Sequence, residues 1–184
     1  MARPKKFDRN SLLDKAIPLF WRSGYVGTNL HELERATGVN KSGLYSEFEN
    51  KDDLFVSALK RYFDTRPGLA MLQRPPLGWG NVETFLRTLP FNTPGCAGCL
   101  SVNSTREVAD LPERAVSLIR DFNAAQRAAL AGNVAEEGPA MPVDAVCDLI
   151  ATFFAGACIE ANLGADRNTH EARVTRFMEL LRKL

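Results

Sequence analysis

Cys96 and Cys99 form a C-x-x-C pair, a spacing that can bind a metal ion or support redox chemistry. Zinc needs about four ligands, and the two other cysteines, Cys147 and Cys158, are 11 residues apart on one predicted helix. That spacing places them ~16 Å apart along the helix axis, so they cannot both join a site with the C-x-x-C pair. The sequence therefore predicts no metal site and no cofactor.

Two interpretations of the C-x-x-C pair stay open. A cysteine near a helix start can have a lowered pKa and react as a thiolate, which would let Cys96 and Cys99 sense oxidants or electrophiles. Alternatively, the small residues of this stretch simply let a turn and a helix pack tightly. A thiol oxidoreductase is a different class of function, but the βαβ context of thioredoxin-like pairs is not predicted. Because other catalytic motifs are also missing from the sequence, the chain is predicted not to be an enzyme.

A second candidate for chemistry is the short helix predicted over residues 41–48. At 100° per residue its apolar side chains, Leu44 and Phe48, share one face, and Ser42 and Ser46 lie nearly opposite. The polar face also carries Lys41 at its start and is flanked by Gly43 and Tyr45. Small polar side chains, one cation and one phenol would let this helix enter the major groove of DNA.

The residues around this helix predict a helix-turn-helix. Gly38 can adopt positive φ and end one helix, and Asn40 can cap the next. A first helix is expected to begin at Asp8 or Asn10 and to end before Gly24, with a bend at Pro18. Thr28 is expected to cap the second helix without a full capping box, and Asn50 to cap a fourth.

Helical periodicity continues through the rest of the chain, so the predicted fold class is all-α. Further helices are expected near 81–89, 100–108, 112–132, 142–163 and 169–183, with a loop over 132–142. The predicted domains are an N-terminal arm and helix-turn-helix at 1–50, a connecting helix at 51–66, and a larger helical domain at 67–184.

Charge is unevenly distributed along a chain whose net charge is only +1. Residues 1–66 carry 12 Lys and Arg against 9 Asp and Glu. Within residues 1–10, Arg3, Lys5, Lys6 and Arg9 face only Asp8, which is a weak indication of an anionic partner. No signal-peptide core or membrane-spanning run is present in the sequence, so a cytoplasmic protein without a membrane partner is expected.

Four segments in register over about 50 residues resemble the N-terminal domain of the TetR family of transcriptional regulators. They are A-x-x-L-F at 16–20, G-Y-x-G-T at 24–28, A-T-G-V at 36–39, and L-Y-x-x-F-x-x-K-x-x-L-F at 44–55. The resemblance implies a three-helix helix-turn-helix domain followed by a larger helical domain for ligand binding and dimerisation. It also implies a regulator, most often a repressor, that a small effector releases from double-stranded operator DNA.

The resemblance further implies roles for individual residues of this chain. Thr28, Tyr45 and Lys51 would contact phosphates, although each could instead serve as a cap, a packing group or a solvated cation. Base edges would be reached by Lys41, Ser42, Gly43 and His31. Arg3, Lys5 and Lys6 could follow the minor groove or the phosphates.

For the larger domain, the resemblance implies an effector cavity and a homodimer formed by the last two helices. Aromatic residues that could line the cavity, or belong to plain core, are Trp79, Phe85, Phe91, Phe122, Phe153 and Phe154. The Ala155-Gly156-Ala157 run would allow close helix approach. The G-C-L-x-V-N segment at 98–103 is similar to that of a TetR subgroup, some of whose members respond to electrophiles or oxidants.

Overall fold

The computed structural model describes residues 8–88, 91 and 95–184. Helices and connecting turns account for the regular structure in these ranges, which confirms the all-α fold class. The helices are α1 Arg9–Gly27, α2 Leu30–Thr37, α3 Lys41–Glu47, α4 Lys51–Thr65, α5 Pro67–Leu72, α6 Trp79–Thr88, α7 Leu100–Ser104, α8 Glu113–Glu136, α9 Val143–Asn162 and α10 Arg167–Leu181, with a 3₁₀ turn at Thr105–Glu107.

The described residues form two compact units, and both are discontinuous in sequence. The first comprises the described part of Met1–Thr65 together with Asn103–Ile119, and the second comprises Arg66–Val102 together with Arg120–Leu184. The predicted boundaries at residues 50 and 66 stay a prediction. None of the helices in the described ranges has the length and apolar content needed to cross a bilayer.

In the first unit, α1 packs along α4. Asp8 caps α1 by accepting from the amides of Asn10 and Ser11, as predicted. Aromatic edges join the two helices, with ring centroids 5.0 Å apart for Phe20–Phe55 and for Trp21–Tyr62. Burial of such rings is a major contribution to the stability of a small helical unit.

The bend in α1 lies at Gly24, where φ is 74° and ψ is 178°. Pro18 lies inside α1 without non-helical backbone angles, and the bend expected there stays a prediction. The cost of proline is a lost donor and a steric clash with the preceding turn, and both can be absorbed without leaving helical angles. A positive φ, by contrast, breaks the helix outright.

The start of α2 also differs from the prediction. Asn29, not Thr28, is the N-cap, and its side chain accepts from the Glu32 amide at 2.9 Å. The Glu32 carboxylate accepts in turn from the Asn29 amide at 3.1 Å, which completes a capping box. The box that seemed to be missing is therefore present, one residue later than expected.

The turn between α2 and α3 has the predicted capping pattern. Gly38 has φ 74° and donates its amide to the Glu34 carbonyl, and Val39 is buried. The Asn40 side chain accepts from the Gly43 amide at 2.9 Å. At the next helix start, the Asn50 side chain accepts from the Asp53 amide at 2.9 Å.

The second unit contains a helix and a helix extension that were not predicted. Pro67 and Gly68, expected at a boundary, open α5, because proline is tolerated in the first turn of a helix. The expected loop over 132–142 is wrong at its start, since α8 continues to Glu136. Burial of Asn133 and Val134 outweighs the ~1 kcal/mol cost of Gly132 in a helix.

Asn133 organises the turn before α6. Its side-chain oxygen accepts from the Gly78 amide at 2.9 Å, and its amide group donates to the Leu72 carbonyl at 2.6 Å. The carboxylate of Glu137, one turn later, accepts from the Trp79 amide at 2.6 Å. A fully buried asparagine is favourable here because its hydrogen bonds compensate its desolvation.

Candidate nucleic-acid interface

Helix α3 presents a small polar surface. Leu44 is 1% exposed and Phe48 2%, whereas Tyr45 is 40% exposed, and Ser42 and Ser46 are also exposed. The Ser46 hydroxyl donates to the Gly43 carbonyl at 2.7 Å. The structure thus places the predicted polar face of α3 outward and its apolar face in the core.

Lys41 and Tyr45 stand together on the exposed side of α3. The Lys41 ammonium is 5.9 Å from the centroid of the Tyr45 ring, within the range of a cation–π contact. The backbone amide of Lys41 donates to the Glu34 carboxylate on α2, which ties the start of α3 to the preceding helix. His31 is exposed in the first turn of α2.

Lys51 is the first residue of α4, and it lies against the last turn of α1. Its ammonium is 4.6 Å from the centroid of the Tyr25 ring and 3.5 Å from the Val26 carbonyl oxygen. Partial burial lowers the pKa of Lys51, and the carboxylates of Glu107 and Asp52 oppose this shift. The cation is therefore held at one edge of the surface that α3 presents.

Tyr25 is itself fixed by a second contact. Its hydroxyl donates to the Asp52 carboxylate at 2.5 Å. Burial is the largest cause that raises the pKa of Tyr25 to about 12, and the hydrogen bond to Asp52 adds to it. The ring therefore stays a neutral phenol at any physiological pH and offers a fixed face to the Lys51 ammonium.

Thr28 is 0% exposed, and its hydroxyl donates to the Gly24 carbonyl at 2.7 Å. Its side chain thus closes the turn after α1 and does not cap α2. Contact of Thr28 with phosphate stays a prediction. The remaining predicted contacts, Arg3, Lys5 and Lys6, lie outside the described residues.

Arg9 has a role that its charge alone did not indicate. Its guanidinium lies 4.2 Å from the centroid of the Phe48 ring, donates to the Glu47 carbonyl and donates to the Ser57 hydroxyl at 3.0 Å. It also pairs with the Asp53 carboxylate at 3.9 Å. Arg9 therefore joins the C-terminal end of α3 to α4, in addition to adding positive charge near the N-terminus.

The six aromatic residues proposed for an effector cavity occupy different environments in the second unit. Phe85 and Phe154 pack together in the core, with ring centroids 4.9 Å apart. Phe153 stacks on Phe177 at 4.1 Å, joining α9 to α10. Phe91 contacts the His170 ring, Trp79 is buried at the start of α6, and Phe122 is half-buried. These contacts favour core packing for Phe85 and Phe154.

All four cysteines are free and buried. Burial raises the pKa of Cys158 and of Cys147, so neither is a ready thiolate. Cys96 is 4% exposed and Cys99 is 9% exposed, which disfavours direct attack by a large electrophile. The described residues contain no group of three or more His, Cys, Asp or Glu that could hold a metal ion.

Labelling of the folded full-length chain with a maleimide should therefore be slow at every cysteine compared with labelling in denaturant. Mass spectrometry with and without prior peroxide treatment measures the reactivity site by site. Fast labelling of Cys96 or Cys99 in the folded chain, together with a loss of DNA binding after oxidation, would restore the thiol-sensing interpretation.

The fold and the α3 surface together define a helix-turn-helix protein with a second, all-helical unit. Residues 12–58 match the family model of bacterial regulatory proteins, tetR family. Over these residues the N-terminal helix-turn-helix of this chain is therefore similar to tetR-family domains, in agreement with the predicted resemblance.

Two curated relatives are similar to this chain over part of their length. The transcriptional repressor ComR of Escherichia coli is 53% identical over 62 residues, which cover 34% of this chain and 30% of ComR. The uncharacterised regulator YezE of Bacillus subtilis is 35% identical over 91 residues, covering 48% of this chain and 45% of YezE. These matches span well under two thirds of either relative.

The similarity in fold extends over nearly the whole chain. A cysteine-substituted form of the TetR family transcriptional regulator CifR, complexed with double-strand operator DNA, superimposes with a TM-score of 0.78. The alignment has 25% sequence identity and covers 96% of this chain and 98% of CifR. The all-helical fold of this chain is thus similar to that of CifR, a TetR-family regulator.

Proposed function

We propose that this protein is a transcriptional regulator that binds double-stranded operator DNA through α3 and acts as a repressor until a small effector releases it. The observation that carries the proposal is the outward polar face of α3, with Lys41 and Tyr45 on it and Lys51 at its edge. The proposal is supported by similar proteins, since ComR is a transcriptional repressor and CifR is complexed with operator DNA.

In this proposal α3 lies in the major groove. Lys41, Ser42 and Gly43 approach base edges from the start of the helix, because the first residues of a recognition helix point into the groove. Tyr45 and Lys51 contact phosphates on either side. The three basic residues Arg3, Lys5 and Lys6, with His31, extend the contacts.

We further propose that the protein is a homodimer through α9 and α10, since a dimer matches the symmetry of paired operator half-sites. Leu149, Ile159 and Leu180 on these helices are 39%, 44% and 53% exposed. Apart from its own stretch of α9, a Cβ placed on Gly156 would meet no atom of the described residues within 4 Å, so another helix has room to approach. We also propose that the second unit contains the effector cavity. The 98–103 segment supports placement of this protein in the TetR subgroup that it resembles.

The proposal predicts salt-sensitive, sequence-selective binding of the full-length chain to DNA from upstream of its own coding region. Because each neutralised phosphate releases counterions, the logarithm of the affinity should fall linearly with the logarithm of salt concentration. Fluorescence anisotropy on the upstream fragments and on a random duplex of equal length measures both properties. Equal affinity for all duplexes, or none for any of them, would refute a sequence-specific regulator.

A further inference from the structure

The bend within α1 is held by a residue that lies far away in the sequence. At Gly24 the backbone departs from helical angles, and the amide of Tyr25 donates to the Glu107 carboxylate at 2.6 Å. Glu107 is separated from Tyr25 by 82 positions and ends the 3₁₀ turn Thr105–Glu107, within the same compact unit. Its carboxylate supplies the acceptor that the interrupted helix does not provide.

The approach of this carboxylate also explains why residue 24 is glycine. A Cβ on Gly24 would lie 2.5 Å and 2.6 Å from the two Glu107 carboxylate oxygens. Such distances are far below van der Waals contact, and the φ of 74° is in addition strained for any residue with a side chain. A side chain at position 24 would therefore strain the backbone and displace the Glu107 carboxylate.

A continuous set of contacts leads from Glu107 to the Lys51 ammonium. Glu107 fixes the Tyr25 backbone, and the Tyr25 ring lies under the Lys51 ammonium at 4.6 Å. The carbonyl of the next residue, Val26, is 3.5 Å from the same nitrogen. The Glu107 carboxylate also acts on Lys51 through its charge, in the direction that keeps the amine protonated.

We propose that Glu107 is a positioning residue of the DNA-binding surface: it fixes the Gly24–Tyr25 bend and thereby places the Lys51 ammonium for its phosphate contact. The inference rests on the proposed function, because it assigns a cause to the geometry of one of the proposed phosphate-binding groups.

Two simpler roles for Glu107 predict different effects of removing its carboxylate. If Glu107 only tied two parts of the unit together, its removal would lower stability and leave the DNA affinity of the folded protein unchanged. If it acted only as a negative charge near DNA, its removal would raise affinity for every duplex. The positioning role predicts that removal of the carboxylate lowers the affinity for DNA, even though the net charge of the protein becomes more positive.

The DNA test compares Glu107→Gln and Glu107→Ala with Asp110→Asn, a matched removal of an exposed carboxylate three positions later. Glutamine keeps an acceptor for the Tyr25 amide, so we expect a loss of about twofold to threefold, against about fivefold for alanine. The salt dependence should become shallower by up to about one phosphate contact for Glu107→Ala. Asp110→Asn should bind as tightly as the unchanged chain or more tightly.

A measurement without DNA separates this inference from the proposed function. Removing the Glu107 charge should lower the pKa of Lys51, since one of the two carboxylates that oppose the effect of burial is lost. NMR titration of the lysine side-chain resonances, with Lys51→Arg to assign the signal, measures this shift in Glu107→Gln and in Asp110→Asn. Only the first variant should show it.

The steric contact is tested by a double-mutant cycle in thermal unfolding. Gly24→Ala should destabilise the unchanged chain more than it destabilises Glu107→Ala, because only the backbone strain remains once the carboxylate is absent. Additive effects, an unchanged Lys51 pKa, or raised DNA affinity of Glu107→Gln would each overturn the positioning role. If the unchanged chain binds no duplex, the proposed function fails, and the Lys51 titration and the cycle still decide whether Glu107 holds this geometry.

Discussion

Replacing Lys51 with alanine should weaken binding to every DNA duplex by about tenfold, whether cognate or random, and reduce the salt dependence by about one phosphate contact. Loss of a phosphate-binding cation removes affinity but little sequence information. The expected loss is large because Lys51 is pre-positioned by the Tyr25 ring and the Val26 carbonyl, so little side-chain entropy has to be lost on binding.

Lys60→Ala is the matched control for this prediction. Lys60 belongs to the same helix and pairs with Asp64 at 3.0 Å on an exposed face, so its removal should change affinity little. Ser42→Ala is the contrasting variant, since a base-reading residue should alter the preference between the upstream fragment and random DNA. A sequence-dependent loss for Lys51→Ala, or equal losses on both duplexes for Ser42→Ala, would contradict the assigned roles.

Replacing Arg9 with alanine should lower the free energy of unfolding by about 2 kcal/mol and weaken DNA binding by about tenfold. The variant loses the cation over Phe48, the bond to Ser57 and the bond to the Glu47 carbonyl at the end of α3. Because α3 has only 7 residues, it depends on such tertiary contacts for its position. Urea unfolding and anisotropy measure the two effects.

Arg22→Ala provides the control, because Arg22 is an exposed arginine of the same helix. Its removal should change the free energy of unfolding by less than about 0.5 kcal/mol. Arg9→Lys should recover only part of the loss, since lysine lacks the planar fork that serves several acceptors. Unchanged stability with a shallower salt dependence for Arg9→Ala would instead identify Arg9 as a phosphate contact of the basic arm.

The parts of the fold that could be predicted from sequence are those determined by neighbouring residues. Gly38, Asn40 and Asn50 act on backbone groups within a few positions, so their types and spacing predict the end of α2 and the starts of α3 and α4. The Asn29 capping box was present in the same form, as Asn followed by Glu three residues later.

The contacts that could not be predicted connect distant positions. Glu107 approaches Gly24 across more than 80 residues, and Arg9 reaches Glu47 across 38. In sequence, Arg9 is one more basic residue near the N-terminus, and Glu107 is one acidic residue of a short helix. Only the packing of α1 against α4 and the 3₁₀ turn shows that each contributes to the geometry of the α3 surface.

The discontinuity of the first unit limits how far it can be transplanted. A fragment ending at Thr65 contains the whole helix-turn-helix but omits Asn103–Ile119, and with it the acceptor for the Tyr25 amide. Chimeric regulators built by joining such a fragment to a foreign sensor would inherit Lys51 without Glu107. An exchange of the second unit between related proteins should therefore keep residues 103–119 together with the helix-turn-helix. The part of this chain that can be exchanged is defined by its contacts and not by its continuity in sequence.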